Sequence, residues 1–183
     1  MKKPSDYQIL SDAELVAYAQ SQLPYQTKAY ETLMHRHQGK MYALCLKTVR
    51  NTEDAQDLTQ DVMLKVFHNL KGFSGHSKVS TWLYSVASNT CLDYLRKHKR
   101  TTARHVPIED GHNVPTPNSD ETRILVKKAL SSLDENDQMI INLHFTVGLS
   151  LDEIAEVLAL KVSATKMRYY RAMDKLKKHV VDK

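Results

Sequence analysis

Apolar residues in this chain recur at intervals of three and four rather than in alternation, and the runs are bounded by capping residues, glycine or proline. Ser11-Asp12-Ala13-Glu14 is a capping box, which starts a first short helix ending near Leu23-Pro24. A second helix follows from about Gln26 to Val49. Asn51 or Thr52 caps a third that reaches about Leu70, where Gly72 and Gly75 interrupt the pattern around Phe73. Ser80 caps a fourth, over Val79 to Arg100. Glycine and proline number five each, and no segment shows the period of a strand, so the pattern predicts an all-α protein.

After Arg100 the texture changes. TTARHVPIEDGHNVPTPNSDE holds three of the five prolines and many small polar residues, the composition of a tether. A structureless run of this length is uncommon inside one compact domain. The chain therefore divides into a first domain over 1–100, a flexible linker over 101–120 and a smaller domain over 121–183. In the smaller domain Ile124, Leu125, Lys128, Ala129 and Leu133 return to helical register. One helix is predicted from about Glu121 to Ser131 and another from Asp134 to Val147, with Gly148 as a break. Ser150-Leu151-Asp152-Glu153 is a second capping box, opening a helix that ends near Leu158. After a turn over 159–162, Ser163 caps a final helix reaching about Val180. Two helices joined by a tight turn, the second of them basic, form the helix-turn-helix pattern.

Three helix faces carry candidate chemistry. Between Val79 and Arg100, Leu83, Tyr84, Ala87, Cys91, Tyr94 and Leu95 make a core side. Trp82, Ser85, Asn89, Asp93, Arg96 and Arg100 run along the other, leading into Arg96-Lys97-His98-Lys99-Arg100. An aromatic ring, an amide and two guanidiniums in one line suit a nucleic-acid strand. For Trp82 by itself, burial against a neighbouring helix is the better reading, because Trp is highly buried on average. In the last helix Tyr169, Met173, Leu176 and Val180 share an apolar side, and Arg168, Arg171, Lys175 and Lys178 line another. Residues near its start, Ser163, Ala164, Lys166, Met167 and Arg168, are placed to reach base edges, while Arg171 and Lys175 would hold phosphates. In the third helix Asp54, Asp57 and Asp61 fall on one side, opposite Ala55, Val62, Met63, Val66 and Leu70. In a net basic protein such a stripe suits a basic protein partner; an ordinary solvated face has the same spacing.

Charge and composition sharpen this only modestly. The 26 Lys and Arg against 21 Asp and Glu leave +5, a mild lean toward polyanions. Cys45 and Cys91 lack the spacing of a zinc site or a disulfide framework and read as buried thiols in a reducing compartment. His35 and His37 sit on different helix faces and are not metal ligands. No leader and no long apolar run is visible, so a cytoplasmic protein without membrane insertion is expected. With no glycine-rich phosphate loop, HExxH, GxSxG or Cys/His nucleophile pair, neither an enzyme nor a cofactor or metal is expected.

These residues together make the chain resemble a bacterial sigma factor of the extracytoplasmic-function (ECF) group. Glu53-Asp54-Ala55-Gln56-Asp57-Leu58-Thr59-Gln60-Asp61 resembles sigma region 2.2, and Ser80-Thr81-Trp82-Leu83-Tyr84 with Asp93-Tyr94-Leu95-Arg96 resembles regions 2.3 and 2.4. Leu149 to Ala155, with Lys166 to Ala172, resembles region 4.2. The resemblance implies that the acidic helix, through Asp54, Asp57, Gln60 and Asp61, docks on the β′ clamp helices of core RNA polymerase. It implies that Trp82, Ser85, Asn89, Arg96, Lys97 and Arg100 meet the -10 element of promoter DNA, with Asn89 in the pocket for a flipped base. The second domain would bind the -35 element and the β flap, and family habit suggests an anti-sigma factor as a further partner. Gln56 and Thr59 depart from the usual acid and aliphatic residue, so phosphorylation near Thr52 or Thr59 by a regulatory kinase would supply missing charge. Leu149 to Leu176 also resembles the DNA-binding domain of response regulators. An ordinary helix-turn-helix regulator is therefore the alternative, and the composition of the first domain argues against it.

Overall fold

A computed structural model describes residues 6–102 and 129–181. Among them, every regular element is helical. A short 3-10 turn at Tyr7–Ile9 precedes α1 (Asp12–Gln22), α2 (Lys28–Val49), α3 (Thr52–Asn69), a second 3-10 turn (Leu70–Gly72) and α4 (Val79–Thr102). Residues 129–131 are helical. Then come α5 (Glu135–Asn142), a π-helical turn (Leu143–Val147), α6 (Leu151–Val157) and α7 (Val162–Val181). The predicted linker beyond Thr102 and the predicted helix start near Glu121 lie outside the described residues.

Local chemistry sets most helix starts. Ser11 and Glu14 form the predicted capping box, as do Ser150 and Glu153, each side chain satisfying a backbone N–H that the helix leaves open. Asn51 accepts from Asp54 N–H at the start of α3 and Asp134 from Asp137 N–H at the start of α5. Two expected caps are corrected. Ser80 lies inside the first turn of α4, because the Lys78 carbonyl already accepts from Trp82 N–H at 3.1 Å. Ser163 lies inside α7, where the Lys161 carbonyl accepts from Thr165 N–H at 3.0 Å. A serine near a helix start fits either position; the packing of Val79 in the core favours the earlier start.

The two helical groups share one buried cluster. Leu15, Leu33, Met41, Leu44, Val62, Leu70 and Leu83 are buried together with Met139, Ile140, Leu143, Val147 and Ile154 from the second helical group. Each group alone could bury only a modest apolar area, and joining them removes both apolar faces from water. Polar ties cross the same seam: Lys40 donates to the Val147 carbonyl at 3.0 Å, and Asn142 reaches Thr48 at 3.5 Å. A smaller cluster of Leu133, Ile141 and Ala172, with Tyr169, Met173 and Leu176 against it, holds α7 on α5. Cys45 and Cys91 are buried where α2 meets α4, their sulfurs 3.5 Å apart. Among the described residues no helix is long and apolar enough to cross a membrane, and no cluster of His, Cys, Asp and Glu could hold a metal.

Candidate nucleic-acid and protein interfaces

The face of α4 begins in the loop before it. The Gln20 side chain donates to the carbonyls of Leu70 (3.0 Å) and Phe73 (2.8 Å), pinning that loop to α1. Phe73 then lies against Trp82, ring centroids 5.0 Å apart. Trp82 is thus half-buried against a neighbouring segment, as its residue type favours. Ser85 is half-buried and donates to the Trp82 carbonyl at 2.8 Å, which commits its hydroxyl to the helix. Asn89 is exposed. Arg96 is exposed and pairs within the helix with Asp93 at 3.1 Å. Lys97 is exposed; the side chain of Arg100 lies outside the described residues.

On α3, Asp57, Gln60 and Asp61 are exposed in one row. Asp54 is not equivalent to them. It is half-buried and faces the Tyr94 hydroxyl of α4, whose pKa is raised by burial and then by that carboxylate. Leu64, 57% exposed, continues the row one turn beyond Asp61 and was missed in the sequence. An apolar side chain rimmed by charge is the composition of a protein interface. Thr59 is corrected as a modification site: it is buried, and its hydroxyl donates to the Ala55 carbonyl at 2.6 Å. Thr52 and Gln56 are exposed.

On α7, Thr165 and Ala172 are fully buried, and Tyr169 sits edge-on to His144 with centroids 5.0 Å apart. This fixes the outward side: Ser163, Lys166, Met167, Tyr170 and Arg171 are exposed. Ala164 is half-buried, and Lys175 is exposed further along. Tyr170, at 60% exposure, lies three residues from Met167 on the same flank and was missed because its neighbour Tyr169 belongs to the apolar side. Lys166 pairs with Asp152 in the first turn of α6 at 3.1 Å. Arg168 stands apart from this flank, its Nε 3.6 Å from Asp137 Oδ1 on α5. The turn between α6 and α7 closes with Leu160 N–H on the Ala155 carbonyl (2.8 Å) and Ala159 at φ 52°, a left-handed helix stop without its usual glycine.

A helical bundle with a polar, basic-ended helix, joined to a helix-turn-helix module with a basic second helix, has the form of a DNA-binding protein. The sigma-70 region 2 family model matches residues 33–101, and the sigma-70 region 4 model matches residues 129–178. The ECF RNA polymerase sigma factor SigM of Mycobacterium tuberculosis is 32% identical over 167 residues, covering 91% of this chain and 83% of that one. The ECF RNA polymerase sigma-E factor of Escherichia coli is 30% identical over 161 residues, covering 80% and 84%. Among solved structures, CnrH in complex with the cytosolic domain of CnrY superposes with a TM-score of 0.68 at 26% identity, over 91% of this chain and 94% of that one. RpoE in complex with the anti-sigma factor NepR from Bartonella quintana, 23% identical, shares the fold with a TM-score of 0.70 over 85% and 99%. This chain belongs to the ECF sigma factors of the sigma-70 family.

Proposed function

We propose that this chain binds core RNA polymerase, recognises the -10 and -35 elements of its promoters and assists promoter melting, with no catalysis of its own. The observation that carries this is the separation of charge. An exposed acidic row on α3 and exposed basic or polar faces on α4 and α7 call for two partners, a basic protein surface and a polyanion.

In this reading residues 1–100 hold the polymerase and the -10 element, 101–120 link, and 121–183 hold the -35 element and the β flap. Asp57, Gln60 and Asp61 dock on the β′ clamp helices, with Asp54 fixing α3 against α4 through Tyr94. Trp82, Ser85, Asn89, Arg96, Lys97 and Arg100 face the -10 element. Asn89 contributes to a pocket for an extruded base, and stacking and edge hydrogen bonds there offset the few kcal/mol of unstacking. Ser163, Ala164, Lys166 and Met167 approach base edges at -35, and Arg171 and Lys175 hold phosphates. A protein antagonist of the anti-sigma kind is a further partner; the relative CnrH was solved bound to the cytosolic domain of CnrY.

The test is to mix the purified chain with sigma-free core polymerase and ask whether they co-elute and initiate at defined sites on genomic fragments. Co-elution with defined starts supports the reading. Binding of the chain alone to specific duplex sites, with no affinity for core, would replace it with a helix-turn-helix regulator.

A further inference from the structure

Arg168 occupies the shoulder of α7 between its buried and exposed sides. It is one turn from both Thr165 and Ala172, which are fully buried, and its side chain is 34% exposed. Across from it, Asp137 is 5% exposed, and its Oδ1 has no hydrogen-bond partner. That oxygen lies 3.6 Å from the Arg168 Nε, close enough for an ion pair and too long for a good hydrogen bond. Asp137 belongs to the first turn of α5, where its own N–H is held by the Asp134 carboxylate at 2.8 Å. Burial, and then the charge of Asp134, raise the Asp137 carboxyl, and the charges of Arg168 and then Lys175 pull it only part of the way back. A buried carboxyl beside another acid is unfavourable without a cation, and Arg168 supplies one.

We propose that Arg168 is a positioning residue rather than a base reader: held by Asp137, it sets the roll of α7 on α5 and thereby decides how Met167, Tyr170 and Arg171 meet the major groove. This rests on the -35 reading above. A side chain at the helix surface is about 5–6 Å from the axis, so a roll of about 10° displaces it by about 1 Å. Base-edge hydrogen bonds tolerate only a few tenths of an ångström around 2.7–3.2 Å. One pair at the shoulder therefore acts on every base contact together, whereas a base reader acts on one.

The roles differ in what they disturb. Loss of a base reader relaxes preference at a single -35 position, and loss of a phosphate holder lowers the salt slope by about one. Loss of a positioning residue lowers the promoter-to-nonspecific ratio across several -35 positions and leaves the slope alone. Mere destabilisation reduces the active fraction and leaves the ratio unchanged.

The experiment uses holoenzyme reconstituted with core polymerase, the promoter fragment at which wild type initiates, single-base variants of its -35 element, and a nonspecific duplex, each across a salt series. Arg168→Ala and Asp137→Asn should each reduce the promoter-to-nonspecific ratio about tenfold or more, spread over several positions. The double variant should lose little more than either alone, and Arg168→Lys should restore part of the ratio. Asp137→Asn keeps the side-chain shape, and circular dichroism checks that it folds. Loss confined to one base pair, a lowered salt slope, or an unchanged ratio in folded variants overturns the positioning role. If wild-type holoenzyme initiates nowhere, the promoter reading fails and takes this role with it.

Discussion

The ammonium of Lys78 lies 2.9 Å from Oε1 of Glu153, joining the residue before α4 to the first turn of α6. Glu153 is also the acid of the Ser150 capping box, so one carboxylate both caps a helix and ties the two helical groups together. The hydrogen bond from Lys78, and then those from the Ser150 backbone and hydroxyl, hold its carboxyl at about 2, below its ordinary 4.5.

A depressed folded value gives a definite pH signature. The stabilisation is complete above about pH 4.5 and is lost as pH falls from there through about 2. Asp12 acts in the same direction: burial raises its carboxyl, but the hydrogen bonds and charges of His37 and Arg36 outweigh burial and leave it lowered. Urea midpoints should therefore fall with pH across this window. Glu153→Gln keeps the capping geometry and cannot ionise, so it should flatten part of the fall. An undiminished slope in the variant would remove the assignment.

Leu143 is fully buried in the core shared by both helical groups. Leu143→Ala should cost about 2–5 kcal/mol. The single tryptophan, Trp82, sits in the other group, so its fluorescence tests the sharing. Fluorescence and far-ultraviolet circular dichroism should move together to lower denaturant; a shift in circular dichroism alone would mean that the groups unfold independently.

Charge at Thr59 and at Thr52 should have opposite effects. Thr59→Glu buries a carboxylate within the α3 packing and should cost several kcal/mol. Thr52→Glu puts a negative charge at the exposed start of α3, where the helix dipole favours it by about 0.3–1 kcal/mol. Thermal melts of the two variants decide this, and a stable Thr59→Glu protein would reopen that residue as a phosphorylation site.

Ala159 adopts φ 52° in the turn of the helix-turn-helix, a conformation that costs a residue with a Cβ about 1 kcal/mol or more. Ala159→Gly should raise stability, by up to about 1 kcal/mol after the greater freedom of the unfolded chain is counted. A lower melting temperature would show that the Ala159 methyl group is more important than the backbone strain.

Asn89→Ala should weaken promoter opening more than duplex binding, measured by permanganate reactivity of unpaired thymines against a filter-binding isotherm. Equal loss in both would count against a base pocket at Asn89.

Much of this molecule is legible in local sequence. Both capping boxes, the breaks at Gly75 and Gly148, and the core side of α4 through Leu83, Ala87 and Cys91 follow from interactions within a few residues, which the chain specifies directly. The site is less legible. Arg168 and Arg171 look alike in a list of basic positions, yet they differ because Asp137, 31 positions earlier, faces only one of them. Asp54 parts from Asp57 and Asp61 for the same kind of reason, since Tyr94 lies above it and not above them.

The sequence by itself determined the helices, their amphipathic faces and the family, because periodicity, capping and linked motifs are properties of neighbouring residues. Tertiary structure decided which polar residues on those faces are already committed: Thr59 to its own helix, Arg168 to Asp137, and Glu153 to Lys78. It also decided that Leu143 and Val147 join the core of the first four helices. Burial and ion pairing depend on distances between segments far apart in the chain, and those distances exist only once the helices have packed.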